Sequence, residues 1–175
     1  MKQTPNVTRC FSCKGPVPDI DGPTHEYILS APGCWKRYGE ILAKEYMPEN
    51  YDPDLHRITV DAYAVQHPGN SERRAIQSVN VHLISLHAIF EEKARGNDAN
   101  ALMKQALADD AFIERLQWLE PPSFDGTLTV SDVINASSSN EHADGVRRWG
   151  ISVWEVWRNK HYDAIARLVG RLRRN

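Results

Sequence analysis

Cysteine is scarce in this chain, and all of it lies near one end. Three cysteines occur among 175 residues, at positions 10, 13 and 34. An odd number of clustered thiols does not suit the disulfide framework of small secreted proteins and favours a reducing compartment. The first residues also form no apolar stretch typical of a secretory signal peptide. We therefore expect a cytoplasmic protein.

Long apolar runs and an excess of one charge are absent as well. No stretch of 18 apolar residues occurs, which argues against a membrane-spanning helix. The net charge is only −2, so the chain has no domain-wide basic field and we expect no nucleic-acid partner. Hydrophobic residues make up 41% and charged residues 25%, as in folded globular proteins. The length suits a single domain.

The spacing of apolar residues predicts helices, and no long alternating run predicts strands. The expected helices run from about Cys34 to Tyr46, from Asp54 to just before Pro68, from Ser71 to Lys93, from Asn100 to Leu119 and from Glu141 to Trp157, with an extension to Leu172 left open. A further helical turn or two is conceivable over His25 to Ser30. The predicted fold class is all-α: a bundle of about five helices over residues 35–175, behind a loop-rich cap at residues 1–34.

The cap carries the clearest chemical signal of the sequence. Cys10 and Cys13 form a Cys-x2-Cys pair, whose tight turn aims two sulfurs at one point. His25 and Cys34 are the nearest further ligands, which gives Cys-x2-Cys-x11-His-x8-Cys. Cys34 opens a predicted helix, where the positive end of the helix dipole stabilises a thiolate. We predict a structural Zn²⁺ ion held by Cys10, Cys13, His25 and Cys34.

Two other interpretations of the cysteines stay open. Cys34 is also compatible with a small buried hydrophobic residue, and His25 with a capping or core histidine. Cys10 and Cys13 are also compatible with a redox pair, although no βαβ pattern surrounds them.

The remaining histidines allow two interpretations, one of which is a second polar or metal site. His67, His82 and His142 lie on three predicted helices and would converge if those helices were neighbours, leaving an open position for catalysis. Such a site would resemble that of the DinB-like four-helix bundles, whose His-x3-His pair is absent here. The simpler interpretation has His67 capping a helix and His82 as a hydrogen-bonded core histidine.

Blocks along nearly the whole chain resemble an uncharacterised bacterial family that is classed only as a domain of unknown function. The blocks are Asp21-Gly-Pro-Thr-His25-Glu-Tyr27, Ser30-Ala-Pro-Gly-Cys34-Trp35, His56-Arg-Ile-Thr-Val-Asp-Ala-Tyr-Ala-Val-Gln-His-Pro-Gly69, Gln77-Ser-Val-Asn-Val-His82-Leu83, Trp118-Leu-Glu-Pro-Pro122 and Leu128-Thr-Val-Ser-Asp132-Val133. The resemblance implies roles for His25, Cys34, His67 and His82, because the family places them inside its motifs. It implies no activity.

Two functional classes follow from these patterns. The first is a binding or adaptor module with a structural zinc ion and an unknown protein or small-molecule partner. The three tryptophans of the last helix, Trp149, Trp154 and Trp157, offer one surface for it. The second is a metal-dependent hydrolase or transferase built on the three histidines. A homodimer is compatible with either class. We favour the module, because no nucleophile–base pair or phosphate-binding loop stands at an informative spacing.

Overall fold

The N-terminal part of the chain folds as a small β-hairpin in front of a helical body. A computed structural model of the chain describes residues 6–174. Strand β1 (Val7–Arg9) pairs antiparallel with strand β2 (Pro16–Pro18). Strands of three residues are too short to show an alternating pattern, so the sequence does not predict them. Positions 1–5 of the predicted cap and position 175 of the predicted body lie outside the described residues.

Seven helices follow within residues 6–174, and they confirm the predicted helical, single-domain fold. They are α1 (Pro32–Glu45), α2 (Pro53–Gln66), α3 (Arg73–Phe90), α4 (Gly96–Ala108), α5 (Asp110–Glu114), α6 (Val130–Val133) and α7 (Ser139–Leu172). The segment from His25 to Ser30, for which the sequence leaves a helical turn open, contains no helix, and Glu26 to Ile28 form bends.

The structure divides the single helix predicted over 100–119 into α4 and α5. Asp109 lies between them in an extended conformation, and its side chain accepts a hydrogen bond from the backbone N–H of Phe112 at 2.9 Å. The carboxylate therefore caps a new helix where the apolar pattern alone predicts a continuation. Helix α4 begins at Gly96 rather than at the predicted Asn100. The carboxylate of Asp54 in α2 accepts a hydrogen bond from the backbone N–H of Gly96 at 2.6 Å, which stabilises this earlier start.

Helix α7 runs without interruption for 34 residues and packs against α2 and α3. Its tryptophans are buried, and the indole N–H groups of Trp149 and Trp157 donate to the Gln66 side chain and the Val65 carbonyl at 3.0 and 3.1 Å. The indoles therefore belong to the core rather than to an exposed surface. Charged residues occur along the length of α7. No described helix of the chain is both long and apolar enough to traverse a bilayer.

The core has two connected parts. The larger part joins the hairpin to α1, α2, α3 and α7, since Cys10 and Val17 pack with helical residues such as Ile41 and Trp149. The second part lies between α3, α4, α5 and the end of α7 and includes Ile84 and Leu102. The hairpin therefore shares the main core and is not a separate unit.

A buried carboxylate links three helices. Glu45, the last residue of α1, is only 2% exposed. It accepts from Thr59 Oγ1 at 2.6 Å, His56 Nδ1 at 2.8 Å and His142 Nε2 at 3.0 Å. Burial alone raises the pKa of this carboxyl, but the hydrogen bonds from His142, His56 and Thr59 outweigh burial and lower the pKa below its ordinary value. The ionised carboxylate therefore joins α1, α2 and α7.

We expect Glu45→Gln to lower the free energy of unfolding by about 2 kcal/mol at pH 7, because buried charge-assisted hydrogen bonds are lost. Since the pKa of Glu45 is lower in the folded than in the unfolded chain, its contribution is present above about pH 4.5 and disappears as the pH falls through the folded pKa. The wild type should therefore lose stability below pH 4.5 more steeply than the variant. Urea unfolding at several pH values measures this. Glu40→Gln on the exposed face of α1 is the control, and equal effects of the two substitutions would contradict the role of Glu45.

Candidate metal centre

The hairpin presents two cysteines in its turn. The backbone N–H of Cys10 donates to the Gly15 carbonyl at 2.9 Å, and the N–H of Lys14 donates to the Cys10 carbonyl at 3.0 Å. Lys14 has a φ of 64°, which closes the turn in the left-handed region. Cys10 is 0% and Cys13 is 1% exposed, so both side chains turn into the protein. The Cys-x2-Cys pair thus forms the expected tight turn with two inward thiols.

Cys34 lies in the first turn of α1 and is also fully buried. The neighbouring Gly33 lets the hairpin approach the start of α1 closely, because a Cβ atom at position 33 would overlap the carbonyl oxygen of Pro18 at the end of β2. The backbone N–H groups at the start of a helix carry partial positive charge, which favours a thiolate at this place. Helix α1 and the hairpin therefore bring the third sulfur to the first two.

The fourth member of the group is His67, at the C-terminal end of α2. Its Nδ1 lies 2.8 Å from the carbonyl oxygen of Tyr63, and its Nε2 lies 3.3 Å from Sγ of Cys34. A carbonyl oxygen only accepts hydrogen bonds, so Nδ1 carries the proton and Nε2 keeps its lone pair toward the sulfurs. This is the orientation in which a histidine ligates a metal through Nε2 while a backbone carbonyl fixes its tautomer.

The four ligand atoms have the spacing that a single ion requires. The sulfurs of Cys10, Cys13 and Cys34 and a ring nitrogen of His67 all lie within 4.8 Å of one another, and all four residues are buried. The Cys13 and Cys34 sulfurs are 3.9 Å apart. Sulfurs bound at about 2.3 Å to one tetrahedral ion lie about 3.8 Å apart. The arrangement therefore fits a Cys₃His site.

The electrostatics of the thiols are unbalanced without a cation. The neighbouring Cys13 and Cys34 side chains stabilise the Cys10 thiolate and lower the pKa of Cys10, so that one thiolate is favoured. The same interactions favour the protonated forms of Cys13 and Cys34, which raises the pKa of Cys13 to about 12 and raises the pKa of Cys34 as well. A divalent cation would replace these protons and allow three thiolates to coexist.

The surroundings of the cluster are aromatic and supply donors to sulfur. The backbone N–H of Ala31 points at the Cys10 sulfur at 3.5 Å. The Tyr63 hydroxyl lies 2.8 Å from the Ser30 Oγ and 3.7 Å from the Cys34 sulfur, and its ring stacks on Tyr38 at a centroid distance of 3.8 Å. Burial raises the pKa of the Tyr63 hydroxyl, which keeps it a donor. Such groups exclude water and hold the ligands in place.

His25, the fourth ligand favoured by spacing, does not belong to this group. Its Nδ1 accepts from the backbone N–H groups of Tyr27 and Ile28, both at 3.3 Å. Its ring lies at centroid distances of 4.4 Å from Tyr27 and 5.4 Å from Trp35. The bends after His25 leave backbone N–H groups without a helical partner, and the imidazole satisfies them. His25 therefore acts as a local cap, as the alternative interpretation of the sequence has it.

The three histidines of the second predicted site also have separate partners. His67 joins the cysteines, His82 Nδ1 bonds Asp61 at 2.7 Å, and His142 Nε2 bonds Glu45 at 3.0 Å. Within residues 6–174, the Cys₃His cluster is the one group of three or more such ligands close enough to share an ion. The structure thus does not bring the three imidazoles together.

Comparison with known proteins gives a family but no activity. The model of a family of unknown function, DUF5946, matches residues 8–158, a segment that includes all four clustered residues. No curated protein and no solved structure shows a significant match. The resemblance noted in the sequence is thereby confirmed at the level of a domain of unknown function. The chain belongs to the family of unknown function DUF5946.

Proposed function

We propose that Cys10, Cys13, Cys34 and His67 hold one structural zinc ion. The observation that carries this proposal is the convergence of three buried thiols and one oriented imidazole nitrogen within 4.8 Å. Cys₃His is a common ligand set of structural zinc sites, in which four protein ligands leave no position for water or substrate. The closed set therefore supports a structural rather than a catalytic metal.

The ion would tie together segments that are distant in the sequence. The hairpin contributes two ligands, the start of α1 contributes Cys34, and the end of α2 contributes His67. The hairpin pairs only three residues on each strand, and all three residues of β1 are exposed. A two-stranded hairpin of this size is marginal by itself in water. Metal binding would supply the free energy that fixes it against the helices.

We infer that the protein works as a binding module in the cytoplasm. A reducing compartment suits three zinc-bound thiolates, and no disulfide joins the three cysteines. Since the metal site is closed, any ligand must be recognised elsewhere on the helical body. The helices that the zinc ion anchors would then act as a rigid frame for that recognition.

Removing one sulfur tests the structural role. We expect the wild type, purified without a histidine tag, to contain one zinc ion per chain and Cys13→Ser to contain none. The melting temperature should fall by at least about 6 °C, because a structural metal contributes several kcal/mol. Elemental mass spectrometry and calorimetry measure the two effects. Ser12→Ala in the same turn is the control, and a Cys13→Ser protein with normal zinc and normal melting would contradict the proposal.

A pair of histidine variants tests the identity of the fourth ligand. His67→Ala should lose tight metal binding, because it removes the only nitrogen within the cluster. His25→Ala should keep it, because His25 caps a bend. Titration of the metal-free protein with Co²⁺, followed by the thiolate-to-cobalt and d–d absorption bands, reports both affinity and geometry. Loss of tetrahedral cobalt binding in His25→Ala with retention in His67→Ala would reverse the assignment.

A further inference from the structure

A cavity on the side of the helical body is lined by cations. It has a volume of about 490 Å³ and lies along α3, between residues of α2, α4 and the segment that contains Tyr27. Arg57, Arg74 and Lys104 line it, together with His82 and the amide side chains of Gln77 and Asn100. No acidic side chain is among the described residues of its wall. The volume is within the range of small-molecule sites.

The charge of this wall is only partly balanced by the protein. Arg57 pairs with Asp61 beneath the wall, with Nη2 at 2.6 Å from Oδ1. Arg74 forms an exposed pair with Glu26 at 3.2 Å, which contributes little in water. Lys104 has no ion pair within residues 6–174. A concave surface with excess positive charge attracts anions and raises their local concentration.

Arg57 carries an unused donor in this wall. Its side chain is only 14% exposed. Its buried Nε and Nη2 have no hydrogen-bond acceptor within the described part of the chain, since the pair of Nη2 with Asp61 is an ion pair without hydrogen-bond geometry. A buried N–H without an acceptor is costly, and a guanidinium presents its donors in a fixed fork that matches phosphate and carboxylate oxygens. The Nε atom is buried behind the wall, so an oxyanion in the cavity would become its acceptor after a small shift of the Arg57 side chain.

His82 is held in place beside Arg57 by the same carboxylate. Asp61 is fully buried and accepts from His82 Nδ1 at 2.7 Å and from the Ser85 hydroxyl. Because Nδ1–H donates to the carboxylate, Nε2 remains for another partner; in a neutral imidazole this nitrogen accepts a hydrogen bond, and in an imidazolium it donates one. Asp61 thus orients a guanidinium and an imidazole together at one wall of the cavity. A preorganised pair of this kind is typical of a ligand site.

Apolar side chains complete the wall, since Val81, Met103 and Leu107 also line the cavity. From these observations we propose that the cavity binds a small organic molecule through a phosphate or carboxylate group, which contacts Arg57 and Lys104 beside the His82 ring while the rest of the molecule packs on the apolar side. The size of the cavity favours a small molecule over a nucleic-acid strand, and so does the net charge of −2.

This inference rests on the proposal that the protein is a binding module and names the class of its ligand. It does not depend on which residues hold the zinc ion. The test therefore uses the full chain with its metal content measured on the same sample, so that failure of the metal site and failure of the anion site are seen separately.

Nuclear magnetic resonance with inorganic phosphate and acetate as probes tests the site. With ionic strength held constant by sodium chloride, phosphate or acetate should shift the Arg57 Nε–H and His82 ring resonances in a saturable way. A response to one probe alone supports the site and identifies which oxyanion it prefers. The absence of a saturable shift of these resonances with either probe would overturn the proposal.

Two matched pairs of variants distinguish specific binding in the cavity from attraction by general surface charge. Lys104→Gln and Arg74→Gln should each weaken probe binding about fivefold, because each removes one cation from the wall. Lys36→Gln and Arg148→Gln remove exposed cations elsewhere and should leave binding unchanged. Equal weakening by both pairs would contradict the proposal. Tight binding of a single-stranded DNA oligomer that phosphate does not displace would contradict a small-molecule site.

Discussion

The structure depends on how three buried thiols and one imidazole are held together. Cys10, Cys13, Cys34 and His67 come from three separate elements and bring their ligand atoms within 4.8 Å of one another. In the absence of a cation, protons shared among the sulfurs leave a single thiolate favoured, as the lowered pKa of Cys10 and the raised pKa of Cys34 indicate. A divalent ion would resolve this imbalance and would join the hairpin to α1 and α2 at one point. That junction would then help to fix the position of the hairpin.

Two buried carboxylates hold neighbouring side chains in place in the helical body. Glu45 gathers hydrogen bonds from α2 and α7 and fixes α1 to both. Asp61 binds Arg57 and His82 and directs them to the cationic cavity. Glu45 is 2% exposed and joins three helices, whereas the partners of Asp61 line the cationic cavity. Both features support the proposal of a binding module.

Local patterns in the sequence predicted what depends on neighbouring residues. Residues a few positions apart determine where the helices form, why α2 ends before Pro68 and how Cys10 and Cys13 share a turn. The structure contains each of these features. Such local patterns do not predict His67 as the fourth member of the cluster, because it lies far along the chain from Cys34 and reaches it only through helix packing. His25 is closer in sequence, but its ring satisfies a local bend. The break at Asp109 was missed because a capping carboxylate overrides a continuous apolar stripe.

The coordination sphere of the bound metal tests this account most directly. X-ray absorption at the zinc edge of the untagged protein measures the number and type of ligands and their distances. Three sulfurs at about 2.3 Å and one imidazole nitrogen at about 2.0–2.1 Å, with the imidazole signal lost in His67→Ala, is the predicted result. A sphere of oxygen and nitrogen ligands without sulfur, or protein that contains no zinc, would contradict a structural role for the cluster.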